Sequence, residues 1–461
     1  MPQASLHELL SLAGLGAPEP GTVEISGADP VLQTPYRMGT AAAAVITATG
    51  VAASDIWALR TGRRQGVSVD MRAATAAFRS FKYLRVNGGP PTGGMDVFSG
   101  FYRVRDGRWI FLHCNFAHHC DAALRVAGVP ADRDALAKAT QSWDGEELEG
   151  AIHTAGGCAA FVRTEAEWER HPHAMANAAL PLLEITKIGD APPVPLPAAP
   201  RPLSGIRVLD LTRVLAGPTC ARTLAEHGAD VLKISGPGLA HSGLLELDTG
   251  QGKLSAHLDL READGRETLR GLLRSADVFS QAYRPGTLAE RGFSPADVAA
   301  IRPGIIYVTL SAWGHVGPWS ARRGFDTIVQ SASGMADVMA KNGTPQLQPV
   351  SAIDYVNGYA MAFGAMVALA RRAREGGSWL VRASLASGGR WINERGRLGA
   401  ETVAKAPADL TADDVRPWLR EVVAPDGRIE HLGPVLSLSE TPPHWARPPV
   451  PLGHHQPVWP G

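Results

Sequence analysis

This chain of 461 residues has few cysteines and no net charge. Its four cysteines, Cys114, Cys120, Cys158 and Cys220, are too few to form a disulfide framework in a chain of this length. The 45 basic side chains are balanced by 45 acidic ones, so the formal net charge is zero. Proteins that bind nucleic acid usually carry a basic excess, and we therefore expect no nucleic-acid partner.

Long apolar runs are also missing. The two most apolar stretches, 41–53 and 358–370, are shorter than the roughly 18 residues that span a bilayer. We therefore expect two buried helices and no membrane association. The first 16 residues contain no basic segment and no cleavage signal, which predicts a cytoplasmic protein without a secretory peptide.

Several signatures of cofactor-binding and hydrolytic enzymes are absent from the sequence. No G-x-G-x-x-G follows a predicted strand, GQGK continues with Leu254 rather than as a phosphate-binding loop, and neither H-E-x-x-H nor G-x-S-x-G occurs. We therefore expect no permanently bound cofactor. One cluster has metal-binding residue types, but its spacing fits no standard zinc site, so we interpret it as buried strand-end side chains and expect no metal. Its members are His113, Cys114, His118, His119 and Cys120.

Strand and helix patterns alternate between residues 203 and 390, which predicts an α/β, Rossmann-like domain with a parallel sheet and helices on both faces. The expected strands are 206–212, 230–235, 257–260, 277–283 and 305–313, and the expected helices include 263–276 and 288–301. A smaller α+β domain precedes it, beginning with two strands joined by a turn at Asp106-Gly107.

The predicted organisation has five parts. They are a partial repeat (1–90), the small α+β domain (91–190), a Pro-rich linker (191–202), the Rossmann-like domain (203–390) and a tail that packs back (391–461). The repeat rests on 35–74 and 354–386, which share the order Tyr-x-x-Gly, Ala-rich helix, Arg and Gly turn, and strand. The alternative is two unrelated Ala-rich helices. Pro35 stands at the position that Asp354 fills in the second copy.

Five segments resemble the family III CoA-transferases, of the formyl-CoA transferase and carnitine CoA-transferase type, whose superfamily includes α-methylacyl-CoA racemase. In chain order they are LSGIRVLDLTRVLAGPTCARTLAEHGADVLKIS, TGQGKLSAHLDL, ADVFSQAYRPGTLAERGF, GPWSARRGFDTIVQSASG and AIDYVNGY. The resemblance covers essentially all of 203–390. The small domain and residues 35–80 resemble the second half of the same family, so the order of the parts is unusual.

The resemblance implies that Asp354 is the catalytic acyl acceptor and that acyl-CoA and a small carboxylic acid are the substrates. A carboxylate suits this role because it attacks a thioester to give a mixed anhydride. The resemblance also implies a set of residues that contact coenzyme A, with the basic side chains on its phosphates. They are Val214, Leu215, Ala216, Gly250, Gln251, Gly252, Lys253, Ala282, Tyr283, Arg284, Arg291 and Arg323. Leu215 stands where formyl-CoA transferase has glutamine.

Several alternatives stay open at this point. Asp354 also suits an N-cap of a helix that begins near Tyr355, and each basic residue taken alone suits a solvated surface. Two other functions also fit the sequence, namely a 2-methylacyl-CoA racemase or epimerase and a CoA-binding protein without catalysis. In the racemase branch a histidine fills the position of Phe325, and phenylalanine transfers no proton.

Two assembly states also fit the sequence. One is a monomer, in which the small domain covers the cleft of its own chain, and the other is a homodimer.

Overall fold

The chain folds into four groups of elements, described for residues 2–460 in a computed structural model. The first group is mainly helical and includes a single turn of 3-10 helix at Ser80–Tyr83. Its elements are α1 (Pro2–Leu12), β1 (Val23–Ser26), α2 (Met38–Thr61), β2 (Val67–Asp70), α3 (Met71–Ala77) and β3 (Arg85–Val86).

The second group is a small α+β unit with its own apolar core. Its elements are β4 (Gly100–Arg103), β5 (Trp109–Leu112), α4 (Ala117–Ala127), α5 (Arg133–Thr140), α6 (Gly145–Thr154), β6 (Ala159–Phe161), α7 (Glu165–Glu169) and α8 (Pro172–Asn177). The three strands form an antiparallel sheet, and β4 pairs directly with β5. This pairing confirms the hairpin predicted at Asp106-Gly107.

The third group forms a central sheet of seven strands. Its elements are β7 (Leu183–Gly189), β8 (Arg207–Asp210), α9 (Ala216–Glu226), β9 (Asp230–Ser235), α10 (Gly243–Thr249), β10 (Lys253–His257), α11 (Ala263–Leu273), β11 (Val278–Gln281), α12 (Pro295–Ile301), β12 (Ile306–Ser311), α13 (Asp326–Ala332), α14 (Met335–Val338), α15 (Ala352–Glu375), β13 (Ser378–Ser384) and α16 (Leu385–Glu394). The strand order is β10-β9-β8-β11-β12-β13-β7, and every pair is parallel except β13 with β7. The predicted Rossmann-like α/β fold is confirmed.

Three boundaries differ from the sequence-based expectation. The strand expected at 257–260 is β10, which ends where that range begins. The helix expected at 288–301 is interrupted because Gly292 has a φ of 80°, a left-handed conformation that stops a helix, and Ser294 then caps α12. Strand β7 lies within the range expected for the small domain, but it forms an edge of the central sheet.

The C-terminal segment completes sheets that the N-terminal group begins. Its elements are α17 (Ala400–Ala404), α18 (Ala412–Val415), β14 (Leu419–Ala424), β15 (Gly427–Leu432) and β16 (Leu436–Leu438). Strand β16 pairs with β2, and β15 pairs with β3. The extended stretch 191–202 is held against α2, because the Arg60 guanidinium donates hydrogen bonds of 2.7 Å to the carbonyl oxygens of Pro202 and Ser204.

Helices α2 and α15 pack against each other in the core and are each 24 residues long. The apolar runs are therefore longer than the sequence indicated, and both helices have the length and composition of a membrane span, with mean hydropathies of 1.5 and 1.2. Of these apolar windows, 89% and 100% are buried inside the protein, so both are core helices, as expected. Each is followed by a strand and a helix, β2 and α3 in one case and β13 and α16 in the other.

Helix α15 lies unusually close to the N-terminus of α9. The contact occurs at Gly358, one turn after Asp354. A Cβ atom added at Gly358 would lie 2.7 Å from the carbonyl oxygen of Ala216 and 2.8 Å from the Cβ of Thr219. No side chain larger than hydrogen fits between these helices without moving one of them, so Gly358 sets the distance at which α15 crosses α9.

We predict that Gly358→Ala lowers the free energy of unfolding by about 1–3 kcal/mol, because the added methyl group forces the two helices apart. Gly271→Ala in α11 is the matched control. Its added Cβ would meet no atom within 4 Å, so this change should be neutral or stabilise by about 0.5–1 kcal/mol. Chemical denaturation of the purified variants measures both values. Equal stability of Gly358→Ala and wild type would contradict this account of the packing.

Candidate active site

A cavity of about 640 Å³ opens at the carboxyl ends of the central strands. The segments that follow β8, β9, β10 and β11 form one wall, while Phe116, His118 and His119 of the small α+β unit line another. Ligands of open α/β sheets bind at this edge, where successive strand–helix turns converge. The small unit of the same chain thus helps to enclose the cavity.

The structure brings together the predicted catalytic residue and most of the predicted CoA contacts. The predicted residues that line the cavity are Val214, Leu215, Ala216, Ala282, Tyr283, Arg284, Arg291, Arg323 and Asp354. They come from separate segments of the chain, and the fold places them around one space. This convergence is the main reason to regard the cavity as the active site.

Four predicted contacts do not line the cavity, so the structure does not bring them together with the other predicted CoA contacts. Gly250, Gln251, Gly252 and Lys253 lie at the start of β10, beneath the C-terminal segment. The backbone N–H of Gly252 donates to the carbonyl oxygen of Arg447 at 2.9 Å. The Lys253 ammonium is buried, and it donates to Asp210 Oδ2 at 2.8 Å, so this lysine has no free charge for a phosphate.

Lys253 instead supports the first strand–helix turn of the cavity from below. Asp210 Oδ1 accepts a 3.0 Å hydrogen bond from the backbone N–H of Thr212 and another from its hydroxyl group. Burial alone would raise the pKa of Asp210. The positive charges of Lys253 and Lys233 outweigh this effect, so the pKa of Asp210 is lowered. A buried ion pair thus holds the turn that carries Val214, Leu215 and Ala216.

Val214 has a strained backbone at this turn. Its φ is 71°, in the left-handed region that a β-branched residue rarely adopts. Helix α9 begins immediately afterwards at Ala216, so the turn directs the N-terminus of α9 toward the cavity. The first backbone N–H groups of a helix lack acceptors within the helix and favour negative charge. Strain at such a turn is typical of functional sites.

Asp354 lies within the first turn of α15 and does not cap it. The helix begins at Ala352, so the interpretation of Asp354 as an N-cap is wrong. The cap comes from Asp326 in α13, whose Oδ2 accepts from the backbone N–H of Ile353 at 2.8 Å and of Asp354 at 3.1 Å. The Asp354 side chain is therefore free to face the cavity.

Asp326, which is buried, and Asp354, which is half-buried, are neighbouring carboxyl groups. Burial raises the pKa of Asp326 to about 6, although three hydrogen bonds from Asp354, Gln330 and Ile353 oppose this rise. Burial and the neighbouring charge of Asp326 raise the pKa of Asp354 well above its ordinary value. Within residues 2–460 no group donates a hydrogen bond to the carboxyl oxygens of Asp354. We infer that Asp326 ionises before Asp354.

Four arginines give the cavity a positive potential. Arg213, Arg284, Arg291 and Arg323 line it, and in the described part of the chain none forms an ion pair with a carboxylate. Burial lowers the pKa of Arg323, and the nearby charge of Arg284 lowers it further. Guanidinium groups this close together without an acidic partner are suited to bind phosphate or carboxylate.

Aromatic side chains lie where the small unit meets the third group at the cavity. Phe325 stacks on His113 with ring centroids 3.9 Å apart and an angle of 3° between the rings. Burial lowers the pKa of His113 to about 4 and, together with neighbouring positive charge, that of His119 to about 3, so both are neutral near pH 7. Across residues 2–460, no group of His, Cys, Asp and Glu side chains has the arrangement of a metal site.

Sequence reasoning missed several residues of this site. Asp326 had a usable signal, since it is a carboxylate at the start of a helix next to Phe325. Arg213 adjoins the predicted contact Val214, so its place at the cavity also followed from the motif. The contribution of Phe116 and His119 had no signal in the sequence, because it depends on how the small unit docks.

Several curated proteins are similar to parts of this chain. The acetyl-coenzyme A transferase nodX of Hypoxylon pulicicidum is 30% identical over 328 residues, which cover 64% of this chain and 54% of nodX. The probable fatty acyl-CoA transferase Rv3272 of Mycobacterium tuberculosis is 32% identical over 199 residues, covering 40% and 50% of the two chains. Mouse succinyl-CoA:glutarate CoA-transferase is 33% identical over 201 residues, covering 41% and 46%.

The chain spans about half the length of the curated relatives that it matches. Among solved structures, Rv3272 matches with a TM-score of 0.39 and 32% identity over 42% of this chain and 59% of its own. A CAIB/BAIF family protein from Brucella suis matches with a TM-score of 0.40 and 27% identity over 50% and 65%. The profile of CoA-transferase family III matches residues 14–200 and 203–414, and the chain therefore belongs to this family.

Proposed function

We propose that the protein transfers CoA from an acyl-CoA thioester to a carboxylic acid and that Asp354 is the covalent acyl carrier. The observation that carries the proposal is the position of Asp354. Its carboxyl group lines the cavity beside the N-terminus of α9, and unpaired arginines line the same space. This arrangement supplies a nucleophile, a stabiliser for a developing oxyanion and a binding region for phosphates.

The reaction proceeds by four acyl transfers. An Asp354 oxygen attacks the thioester carbonyl carbon, the C–S bond breaks, and CoA leaves as the thiolate, giving a mixed anhydride. The thiolate attacks the Asp354 carbonyl carbon, the donor acid leaves, and an aspartyl-CoA thioester forms. The acceptor carboxylate displaces CoA to form a second anhydride. The thiolate then attacks the acceptor acyl carbon, which releases the new acyl-CoA and regenerates the Asp354 carboxylate.

The N-terminus of α9 and the ionisation state of Asp354 both affect the rate of this cycle. Each tetrahedral intermediate carries a negative oxygen, and the N-terminus of α9 at Ala216 favours negative charge at that point. A raised pKa makes the Asp354 carboxylate more basic but also reduces its ionised fraction. We therefore expect the rate with saturating substrate to rise with pH, since only the ionised carboxylate attacks the thioester.

We predict that Asp354→Asn abolishes transfer, with a loss of roughly 10⁴-fold or more, because an amide cannot act as this nucleophile. Asp264→Asn on the surface of α11 is the control and should keep full activity. Intact-protein mass spectrometry after incubation with a panel of acyl-CoAs should show an acyl or CoA adduct on the wild type and none on Asp354→Asn. A fully active Asp354→Asn enzyme would refute the mechanism.

The same variant should be more stable than wild type near neutral pH. The pKa of Asp354 is raised on folding, so the contribution of this carboxyl group to stability is fully present below the ordinary aspartate value of about 4 and is lost as pH rises above it. Removing the carboxyl group removes this loss. Asp354→Asn should therefore melt at a higher temperature than wild type at about pH 8 and at the same temperature at about pH 4. A lower melting temperature at both pH values would contradict the assigned direction of the pKa.

Arg284 and Arg323 are proposed to contact the phosphates of CoA. Arg284→Gln should weaken CoA binding roughly 10- to 100-fold, as expected for loss of a charge-assisted hydrogen bond, and should leave binding of pantetheine, which lacks the phosphates, unchanged. Arg274→Gln, at an exposed position after α11, is the matched control. Isothermal titration measures both affinities and should give one CoA site per chain, because the first group has no counterpart of the segments after β8, β9, β10 and β11 that line the cavity. Equal loss for CoA and pantetheine would rule out the phosphate contact.

A further inference from the structure

We propose that Thr34, Gln348 and Gln330 are positioning residues that hold the Asp326 carboxylate against the first turn of α15 and so fix Asp354 in the cavity. The proposal rests on the proposed function in one respect, namely that Asp354 is the acyl carrier. It assigns a role in the site to the N-terminal group.

These residues form a path of hydrogen bonds that enters Gln348 at its side-chain oxygen and leaves it at its backbone N–H. The Thr34 hydroxyl donates to Gln348 Oε1 at 2.7 Å. The backbone N–H of Gln348 donates to Gln330 Oε1 at 2.8 Å, and Gln330 Nε2 donates to Asp326 Oδ1. Asp326 Oδ2 accepts the first-turn N–H groups of α15 at Ile353 and Asp354. A path of polar contacts therefore leads from Thr34 to the backbone of the proposed nucleophile.

Every side chain in this path is buried. Thr34 and Gln330 are 1% exposed, Asp326 is 5% exposed and Gln348 is 7% exposed. Water therefore does not replace a lost partner at these positions, and a polar group left unpaired in the interior is unfavourable. Hydrogen bonds in such surroundings are also stronger and more directional than at the surface. Loss of one link should consequently disturb its neighbours.

Backbone donors fix the orientation of Thr34, Gln330 and Asp326. The N–H of Tyr36 donates to the Thr34 hydroxyl oxygen at 3.2 Å, which leaves the hydroxyl hydrogen for Gln348. The N–H of Gln348 requires an oxygen from Gln330, so the Gln330 amide nitrogen must face Asp326. Asp326 accordingly receives only donors, which is the environment of an ionised carboxylate.

The chain also explains how distant segments share one site. Thr34 and Gln348 are separated by 314 residues, and Thr34 comes immediately before Pro35. Gln330 and Asp326 are four residues apart in α13 and lie on the same face of that helix. The segment 34–36 is held in turn by Arg397, whose guanidinium lies 3.8 Å from the centre of the Tyr36 ring.

Thr34→Val tests the first link, because valine keeps the shape of threonine and removes the hydroxyl group. We expect kcat for CoA transfer to fall roughly 10- to 100-fold, as for a displaced catalytic group, with KM for acyl-CoA and the affinity for CoA within about twofold of wild type. Thr34→Ser should restore the rate. Thr47→Val is the matched control, since Thr47 is also buried in the N-terminal group and its hydroxyl has no partner among residues 2–460.

A readout that needs no activity accompanies the kinetics. Hydrogen–deuterium exchange of the backbone amides of Ile353 and Asp354 reports directly on the bonds to Asp326. We expect faster exchange there in Thr34→Val than in Thr47→Val or Thr34→Ser. Unchanged exchange at these amides, or an equal loss of rate in Thr47→Val, would overturn the proposal. If wild type transfers no CoA but Thr34→Val loses amide protection, the positioning role stands and the proposed function fails.

A double substitution tests the Asp326 end of the chain. In Asp326→Asn the new amide nitrogen faces the Gln330 amide nitrogen, so two donors oppose each other. Adding Gln330→Glu supplies an acceptor for both the new amide and the N–H of Gln348. We expect Asp326→Asn to lower kcat at least about tenfold and to increase amide exchange, and we expect the double variant to recover amide protection and part of the rate. A double variant no better than Asp326→Asn in amide protection would contradict the proposed bonding.

Discussion

The site depends on the meeting of two helix N-termini, those of α9 and α15, around Asp354. Gly358 makes the approach possible because any side chain there would collide with the carbonyl oxygen of Ala216. Each N-terminus presents unsatisfied N–H groups and a partial positive charge. Asp326 satisfies those of α15 from a separate helix, which leaves the N-terminus of α9 available to a negative oxygen on the substrate.

This arrangement is costly for the folded protein. Two carboxyl groups lie close together, one buried (Asp326) and one half-buried (Asp354), and only Asp326 has hydrogen-bond donors in the described structure. Ionising Asp354 as well brings a second negative charge beside the first, which is unfavourable until a substrate alters the surroundings. The protein tolerates this because the elements that carry the pair, α13 and α15, are packed deep in the core. Stability and reactivity are thus opposed at one residue.

The sequence predicted the parts of the structure that depend on local patterns. Runs such as DVLKIS located β9 to the residue, and the order of strands and helices was enough for the fold class. The sequence could not show that Lys253 is neutralised by Asp210, because that ion pair joins two strands through a buried side chain. Asp326 was missed for a similar reason: its role depends on an N-terminus contributed by a helix that comes later in the chain.

The N-terminal group shows how a segment can serve a site without taking part in its chemistry. Helix α2 packs along α15 and closes the core around it. Packing alone fixes the axis of α15, but it leaves the first turn free to fray, as helix ends do. A hydrogen-bond chain that begins at Thr34 supplies what packing does not. The rigidity of the proposed nucleophile then depends on residues from both ends of the sequence, and its geometry follows from the whole fold rather than from the motif around it.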